Sequence, residues 1–326
     1  MPIPMLLFVN TNRFIEKEKN LFVKYYHEEF INRFSVKFVL GIFNDIKLSD
    51  VVYIQYLFHY TVFISLFVSF LQKKKVIVCP RGSLSLYGLA YKRKWVKKIW
   101  LNLLIKPFLN NITFHASSLL EKKDIKRIFP NNKVVVVPDG VDFKSFQKFD
   151  TYEKQVLLKR YTNIDFEDVS TIFFSMGRLH TIKAFDVLID AFSMFLRRDK
   201  DAKLIIAGGD DGVEKKIRKQ ILNLRIQRSV FLIGFVDFKD KNILLNNCDY
   251  FVLASEFESF GIVVSEALSC GKPVILSNKT PWQNLEKNKC GILVDNDKIS
   301  LYNAFVKIVQ KRYNSKEIKD YVKSNF

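Results

Sequence analysis

The sequence predicts an α/β protein made of two doubly wound, Rossmann-like domains that face each other across a cleft. Three observations support this prediction. Short apolar, β-branched runs alternate with helical patterns along the whole chain. A length of 326 residues suits two domains of ordinary size. Hydrophobic residues make up 48% of the chain, which allows a sizeable core and argues against disorder.

Each half of the chain contains its own series of predicted strands. In the first half they are Met5–Val9, Val51–Tyr56, Val76–Cys79, Thr113–Ala116 and Val134–Val137. In the second half they are Thr171–Ser175, Lys203–Ala207, Val230–Ile233, Tyr250–Leu253, Val274–Leu276 and Ile292–Val294. Helical patterns such as Ala184–Arg198 and Val213–Leu224 lie between them. The charged segment Asp142–Asp168 separates the two series, so we predict a first domain with its linker over residues 1–160 and a second over 161–326.

The composition narrows the class of protein. A formal net charge of +19 favours a polyanionic partner, such as anionic lipid, a phosphorylated substrate or nucleic acid, or else a solvated, lysine-rich surface. The four cysteines lack zinc spacing, which predicts buried free thiols in a reducing compartment. Met1–Asn10 has no basic region or cleavage site typical of a signal peptide. Val51–Leu71 is apolar enough to suggest a membrane span, but its interspersed polar residues favour a buried strand followed by a buried helix.

The first segment with a chemical signature is Ser175–Phe192, with the sequence SMGRLHTIKAFDVLIDAF. A strand ends at Gly177, Arg178 lies in the turn, and Lys183 lies near the start of the next helix. Two cations at the carboxyl end of a strand, close to a helix N-terminus, suit a diphosphate. Two solvated surface cations are the alternative interpretation.

The second segment is Glu256–Pro273, with the sequence EFESFGIVVSEALSCGKP. We predict a polar loop, a helix that begins near Phe260 and Gly261, and a helix end at Gly271. Glycine at the helix start lets a ligand approach the backbone amides. Glu258 lies in the loop, and Glu266 lies about two helical turns further on. One capping and one solvated glutamate are the alternative.

Together the two segments resemble the C-terminal domain of the retaining family-4 glycosyltransferases, which have the GT-B fold and belong to glycosyl transferases group 1. The resemblance rests on the G-R-L-x-x-x-K stretch and on the E-x7-E stretch that ends in A-x-x-x-G-x-P-V. The segments LIIAGGD, VFLIGFV around Gly234, and LLNNCDYFVLAS are also similar to that family. Ala184 and Ser259 stand where glycine is usual or common, and neither change removes a charged residue.

The resemblance implies a metal-independent enzyme without a cofactor that uses a nucleotide-diphosphate sugar of the UDP or GDP type. Arg178 and Lys183 would hold the diphosphate and stabilise it as it leaves. Glu258 would bind the donor sugar or stabilise positive charge at its anomeric carbon, and Glu266 would hold the ribose. Backbone amides would add contacts to the phosphate and sugar; they are expected along Ser259, Phe260, Gly261, Ile262 and Val263, with Gly234 as a further donor-site residue.

The first half resembles polysaccharide-assembling members of the family in CPRGSLSLYGLAYKRKWVKKIW, FHASSLLEKKDI and VVVVPDGVDFKSF. Its candidate acceptor-side residues are Arg81, Gly82 and Ser83 after one strand, and two histidines at or near strand ends, His59 and His115. Arg81 could meet a phosphate of a lipid-linked acceptor, or it is a surface arginine. A histidine beside apolar neighbours could act as a base, or it is a satisfied core residue.

The segment Tyr91–Lys106 is basic and contains two tryptophans. It favours a cytoplasmic protein in peripheral contact with the anionic inner face of the cell membrane. The alternative is a helix that packs on its own sheet. No nucleic-acid-binding module is recognisable. Asp210 and Asp211 follow a glycine pair but match no metal-binding pattern.

The chain departs from the family at both ends. The family's first strand is followed by a glycine-rich loop, whereas no glycine precedes Gly41 here, and the C-terminus ends before an expected helix that crosses back to the first domain. The first domain is therefore predicted to be shortened. We predict a retaining transferase that adds a sugar to a growing surface polysaccharide or glycolipid. A non-catalytic remnant or partner subunit and a sugar-nucleotide epimerase are the alternatives.

Overall fold

A computed structural model describes residues 14–27, 34–146, 152–164 and 168–326. The chain divides into two compact units, Met1–Val137 and Pro138–Phe326, which we call unit 1 and unit 2. The predicted strand Met5–Val9 and the residues that follow it up to Arg13 lie outside the described residues.

Unit 1 contains a parallel sheet of four strands in the order β3-β4-β5-β6. These strands are β3 (Val51–Gln55), β4 (Lys75–Cys79), β5 (Ile112–Ala116) and β6 (Val134–Val136). A separate antiparallel hairpin, β1 (Phe14–Glu18) with β2 (Leu21–Lys24), precedes them. This hairpin was not predicted, because its strands are rich in charged residues and lack a clear apolar alternation.

The helices of unit 1 are α1 (Val36–Lys47), α2 (Tyr60–Leu71), α3 (Leu86–Ala90), α4 (Lys94–Trp100) and α5 (Leu119–Ile128). A π-helical turn, Leu101–Ile105, and a 3-10 turn, Lys106–Asn111, follow α4. One cluster of buried apolar residues forms the core of this unit, with Leu57, Leu66, Val78 and Phe114 at its centre. Within this core the ring of Phe114 stacks on that of Phe129, with ring centroids 5.2 Å apart.

Unit 2 contains a parallel sheet of six strands in the order β12-β11-β10-β7-β8-β9. The strands are β7 (Ile172–Met176), β8 (Lys203–Ala207), β9 (Val230–Gly234), β10 (Tyr250–Leu253), β11 (Val274–Ser277) and β12 (Gly291–Val294). The chain builds outward from β7 in one direction through β8 and β9, and then returns to place β10 on the other side of β7. This is the doubly wound Rossmann order, and it puts the topological switch point between β7 and β10.

Helices cover both faces of this sheet: α6 (Lys154–Thr162), α7 (Phe185–Phe195), α8 (Glu214–Asn223), α9 (Phe238–Asn247), α10 (Ile262–Ser269), α11 (Lys298–Gln310) and α12 (Ser315–Asn325). Two buried apolar clusters result. One is centred on a group of aromatic rings in which Phe173 meets Phe305 at a centroid distance of 4.8 Å. The other surrounds Phe174, whose ring meets that of Phe251 at 6.0 Å.

The prediction of an α/β protein with parallel sheets is confirmed, and the predicted strands within the described residues all form. The apolar segment Val51–Leu71 folds as β3 and α2, as expected. None of the helices in the described part of the chain is long and apolar enough to cross a membrane. The predicted boundary after residue 160 falls inside unit 2, within α6, because that helix packs against β9 and α9.

Candidate functional site

The candidate site lies on the two loops that follow β7 and β10, the strands on either side of the switch point. Parallel strands end at the same edge of a sheet, so these loops are neighbours although about 75 residues separate them along the chain. The amide of Glu256 in the second loop donates to the carbonyl of Ile182 in the first at 2.8 Å. The two segments that the sequence singled out are thus joined through their backbones.

Lys183 and Glu258 form an ion pair across this junction. Lys183 ends the 3-10 turn Thr181–Lys183, and its Nζ lies 2.5 Å from Oε1 of Glu258. The hydroxyl of Ser255, at the end of β10, donates to the same oxygen at 2.7 Å. The two charged side chains are 17% and 13% exposed, so the pair is partly desolvated but open to a ligand. A charge-assisted contact of this kind orients both side chains.

Glycines make room for Lys183 at the end of β7. A Cβ atom on Gly177 would lie 2.9 Å from Cε of Lys183, so the glycine lets the lysine stem lie on the backbone. A Cβ atom on Gly208 would lie only 1.9 Å from the carbonyl oxygen of Gly177. Gly208 therefore allows the end of β8 to approach the end of β7 closely.

Arg178, the other predicted cation, occupies a more exposed position. Its side chain is 76% exposed and pairs with Asp211 at 2.5 Å. Asp210 beside it accepts hydrogen bonds from the amides of Glu214, Gly212 and Val213, and the first of these is the main reason that the pKa of Asp210 lies below its usual value. Asp211 thus orients Arg178, and Asp210 caps the turn that leads into α8. Arg178 and Lys183 each have an acidic partner in this structure.

The loop before α10 is held rigidly. Glu256 forms an ion pair with Lys279 and accepts a hydrogen bond from Asn296 at 2.8 Å. The indole of Trp282 donates to the carbonyl of Phe260 at 2.7 Å. Gly261 has φ +82° and begins α10 without a side-chain cap. A glycine at the helix start leaves the first amides of the helix for a ligand. The other predicted backbone positions lie directly before and after Gly261: Ser259, Phe260, Ile262 and Val263.

Ala184 and Gly234 are two further predicted positions with an unusual backbone. Ala184 stands at the N-cap of α7 with φ +48°, a conformation that suits glycine. This explains physically why glycine is favoured at this position, which the alanine occupies under strain. Gly234 ends β9 with φ +75°, and its carbonyl accepts the amide of Gly208 at 2.7 Å.

Glu266 lies on α10 and is 9% exposed. Its Oε1 atom receives a hydrogen bond from Nζ of Lys241 on α9 at 2.6 Å. Glu266 and Glu258 therefore belong to two separate ion pairs, one with each of two different lysines. The structure places Lys183, Glu258, Arg178 and Glu266 around the carboxyl end of one sheet, and it assigns each of them an oppositely charged neighbour.

The candidate acceptor-side turn of unit 1 is organised by a buried carboxylate. Glu121, 1% exposed in the first turn of α5, accepts from the amides of Gly82 at 2.7 Å and Ser117 at 2.8 Å. Ser83 donates to the carbonyl of Pro80 at 2.5 Å. Arg81 has φ +51°, so its side chain leaves a tightly turned backbone. Glu121 was not predicted as a site residue, because its position at a helix start is also typical of an ordinary capping glutamate.

The two candidate histidines have different surroundings. His115 lies on β5, with Nδ1 2.6 Å from the hydroxyl of Tyr53 and Nε2 2.7 Å from the carbonyl of Val137. A carbonyl only accepts, so Nε2 carries the proton and Nδ1 accepts from Tyr53. Both ring nitrogens are engaged. His59 precedes α2, and its Nδ1 lies 2.8 Å from the hydroxyl of Thr61.

The basic segment Tyr91–Lys106 presents apolar side chains to solvent. Trp95, Val96, Ile99 and Leu103 are 75%, 56%, 56% and 67% exposed. On the other side of the same helical segment Leu101 and Ile105 are buried, and the indole of Trp100 donates to the carbonyl of Leu57 at 2.8 Å. The segment therefore packs on its own unit and also exposes an apolar stripe among lysines. Burial lowers the pKa of Lys97, which donates to the carbonyls of Gly88 and Tyr91.

Two polar residues of the donor-side candidate site were not predicted from the sequence, Ser255 and Lys241. Ser255 has a local signal, since it lies two residues after a predicted strand and directly before the acidic loop. Lys241 has none, because 25 residues separate it from Glu266 and only the packing of α9 beside α10 brings them together. The four cysteines are buried and free, as predicted, and burial raises the pKa of Cys248 and Cys270 to about 12.

The parallel sheet of unit 1, the doubly wound sheet of unit 2 and the paired loops at its switch point fit the GT-B fold, and a solved structure supports this assignment. Anabaena HepE, in complex with UDP and glucose, is similar with a TM-score of 0.74 at 17% sequence identity, over 93% of this chain and 82% of that one. At this identity the similarity establishes the fold.

Residues 163–324 match the family model for glycosyl transferases group 1, and the chain belongs to this family of glycosyltransferases. Mannosylfructose-phosphate synthase of Agrobacterium fabrum is 27% identical over 49% of this chain and 35% of its own length. Alpha-monoglucosyldiacylglycerol synthase of Streptococcus pneumoniae is 26% identical over 47% of this chain and 34% of its own length. The matched stretch thus spans about a third of these curated relatives.

Proposed function

We propose that this chain transfers a sugar from a nucleotide-diphosphate sugar to a hydroxyl acceptor, with retention at the anomeric carbon. The observation that carries the proposal is the Lys183–Glu258 pair at the switch point of a Rossmann sheet, where ligands of this fold bind. The pair supplies one cation for a phosphate and one carboxylate for a sugar in a partly desolvated position. The uncapped start of α10 at Gly261 adds backbone amides beside them.

The donor would bind with its diphosphate between Lys183, Arg178 and the start of α10. Lys183 then exchanges part of its contact with Glu258 for a phosphate oxygen, and Arg178 turns from Asp211 to the same group. When the bond from the anomeric carbon to the phosphate oxygen breaks, the negative charge develops on the diphosphate, where these donors stabilise it. The acceptor hydroxyl attacks from the face that the diphosphate leaves and passes its proton to the departing phosphate oxygen, while Glu258 stabilises positive charge at the anomeric carbon.

UDP is the nucleotide that we expect to bind best, because the structurally similar HepE is described in complex with UDP and glucose. GDP is the alternative. Calorimetric titration with both nucleotides tests the donor site, with wild type compared to Lys183→Ala and Arg178→Ala. We expect Kd to rise about tenfold or more for Lys183→Ala, because a charged hydrogen bond contributes about 2 kcal/mol.

A matched control for this titration is Lys216→Ala. Lys216 also pairs with an aspartate, at 2.9 Å from Asp186, but its side chain is 69% exposed on α8. Its removal should leave Kd unchanged. No nucleotide binding by the wild type, or equal affinities for wild type and Lys183→Ala, would refute the donor assignment.

We propose that the reaction needs no metal ion, because Arg178 and Lys183 supply the cationic charge that a metal would bring to a diphosphate. Sugar transfer should then continue at the same rate when EDTA is added to the assay. A loss of transfer in EDTA that Mg²⁺ or Mn²⁺ restores would contradict this part of the proposal.

For the acceptor we propose a saccharide on a lipid carrier or a growing surface polysaccharide, with the protein at the inner face of the cytoplasmic membrane. The apolar stripe of Trp95, Val96, Ile99 and Leu103 supports this, since exposed apolar residues flanked by lysines suit an anionic lipid surface. A relative is named for a diacylglycerol-linked product. Arg81, on its tight turn, is our candidate for a phosphate of the acceptor.

Vesicle sedimentation tests the membrane contact. We expect the wild type to sediment with vesicles that contain anionic lipid and much less with zwitterionic vesicles. The double variant Trp95→Ser with Ile99→Ser should reduce sedimentation several-fold. Leu222→Ser, at a residue that is 56% exposed on α8 of unit 2, is the matched control and should leave sedimentation unchanged. Equal sedimentation of the double variant and the wild type would show that this stripe does not bind membranes.

A further inference from the structure

Glu266 and Lys241 form the second buried ion pair of unit 2. The Nζ atom of Lys241 lies 2.6 Å from Oε1 of Glu266, and the two side chains are only 14% and 11% exposed. Removing two charges from water to this degree is unfavourable unless each compensates the other. Lys241 therefore places an opposite charge directly beside a nearly buried carboxylate on α10.

Two aromatic rings also lie close to the ammonium group of Lys241. Its Nζ atom lies 5.1 Å from the ring centroid of Phe238 and 5.7 Å from that of Phe146. Phe146 is 2% exposed and ends the 3-10 turn Phe143–Phe146, which packs against α10. Two aromatic rings and one carboxylate thus lie around the ammonium, and cation–π attraction favours this position of the lysine. A restrained ammonium in turn restricts the carboxylate that it contacts.

We infer that Lys241 is a positioning residue for nucleotide binding, which sets the orientation of Glu266 toward the two ribose hydroxyls of the donor. This inference rests on the proposed function. A carboxylate has about four lone-pair directions, and Lys241 takes one of them on Oε1. No other hydrogen bond to this carboxylate is found within residues 14–27, 34–146, 152–164 and 168–326, so its remaining acceptor positions are available to a diol.

A positioning role makes a prediction that a purely structural role does not. The ribose contact is the same in the bound substrate and in the transition state, so losing it should raise KM for the donor and leave kcat nearly unchanged. The loss should also depend on the ribose hydroxyls themselves. A variant at Lys241 should weaken binding of UDP but should have little effect on a nucleotide whose ribose lacks both hydroxyls.

The experiment is a calorimetric titration of UDP and 2′,3′-dideoxy-UDP into the wild type, Lys241→Met and Lys241→Gln. Both variants should bind UDP about tenfold more weakly than the wild type, as expected for one charged hydrogen bond. Both should bind the dideoxy nucleotide within about twofold of the wild type. Using two replacements guards against one of them failing to fold, which a thermal melt reveals.

Lys239→Met is the matched control, because it removes the same charge from the same helix at an exposed position. It should bind both nucleotides as the wild type does. Equal UDP affinity in the wild type and a folded Lys241 variant overturns the inference, and so does an equal loss with both nucleotides. Failure of the wild type to bind either UDP or GDP would overturn the proposed function as well, so the two failures are distinguishable.

Discussion

The sheets of unit 1 and unit 2 are built from the same kind of βα repeat, but they are buried to different degrees. In unit 2 every residue of β8 is buried, and so are four of the five residues of β7. In unit 1 β3 has one buried residue, Ile54, and Val51 and Tyr53 are 45% and 44% exposed. Among the described residues, two buried clusters flank the sheet of unit 2, whereas one forms in unit 1.

This difference shows that, within the described residues, unit 2 has the more extensively buried core. Packing on both faces over-determines the position of each strand, so the loops that leave the sheet of unit 2 can hold strained or charged residues in place. Ala184 at φ +48° and the Lys183–Glu258 pair are both found there. The open side of the unit 1 sheet carries Tyr53, His115 and Val135 instead, side chains that remain accessible to other molecules.

The largest expected effect is the loss of an aromatic ring from the core of unit 2. Phe173→Ala should lower the free energy of unfolding by about 4 kcal/mol, because the ring is fully buried against Phe192, Phe195 and Phe305. Urea denaturation followed by circular dichroism measures this change. Val135→Ala in unit 1, at a side chain that is 42% exposed, should cost less than about 0.5 kcal/mol. Similar losses in both variants would show that the face of β6 is covered.

The next effect concerns the contact between the ends of β7 and β8. Gly208→Ala should destabilise unit 2 by about 3 kcal/mol, because the added Cβ meets the carbonyl oxygen of Gly177 at 1.9 Å. It should also weaken nucleotide binding, since Gly177 precedes Arg178. Gly209→Ala is the adjacent control, where a Cβ meets nothing within 4 Å. Equal melting temperatures for the Gly208 and Gly209 variants would disprove the close approach of β7 and β8.

A smaller effect, of opposite sign, is expected at Ala184. Ala184→Gly should raise the free energy of unfolding by about 1 kcal/mol, because glycine adopts φ +48° without strain. Thermal and urea melts measure the gain. Lys73→Gly in unit 1, at φ +54°, should give a similar gain and thereby show that the strain belongs to the backbone rather than to the site. A destabilised Ala184 variant would mean that packing of the buried methyl group outweighs the backbone strain.

The smallest effect is a dependence of stability on pH through Asp210. Hydrogen bonds from backbone amides, chiefly that of Glu214, lower the pKa of this carboxyl in the folded protein. Its contribution is therefore complete above the unfolded pKa of about 4 and is lost as the pH falls through the lower folded value. Asp210→Asn removes the titration. The stability difference between wild type and variant, measured by urea denaturation, should shrink below pH 4, and a constant difference would contradict the assignment.

Much of this protein could be predicted from local patterns. The apolar runs of unit 2 identify all six strands, because the inner strands are largely buried on both faces and need no alternation. The two charged segments each follow a predicted strand, and their resemblance to the glycosyltransferase family identifies Lys183, Glu258, Arg178 and Glu266 as candidates. The hairpin of β1 and β2 escaped prediction, since its side chains are mixed and partly exposed.

The sequence by itself determined the fold class and the strands of unit 2, because these depend on hydrophobic periodicity, and its resemblance to the family indicated the charged residues of the candidate site. Only the tertiary structure decided the partners of those charges. Glu258 beside Lys183, Asp211 beside Arg178 and Lys241 beside Glu266 come from neighbouring elements of the folded sheet. Such pairings are not encoded in any local pattern, because they arise when strands that are distant in the chain become neighbours.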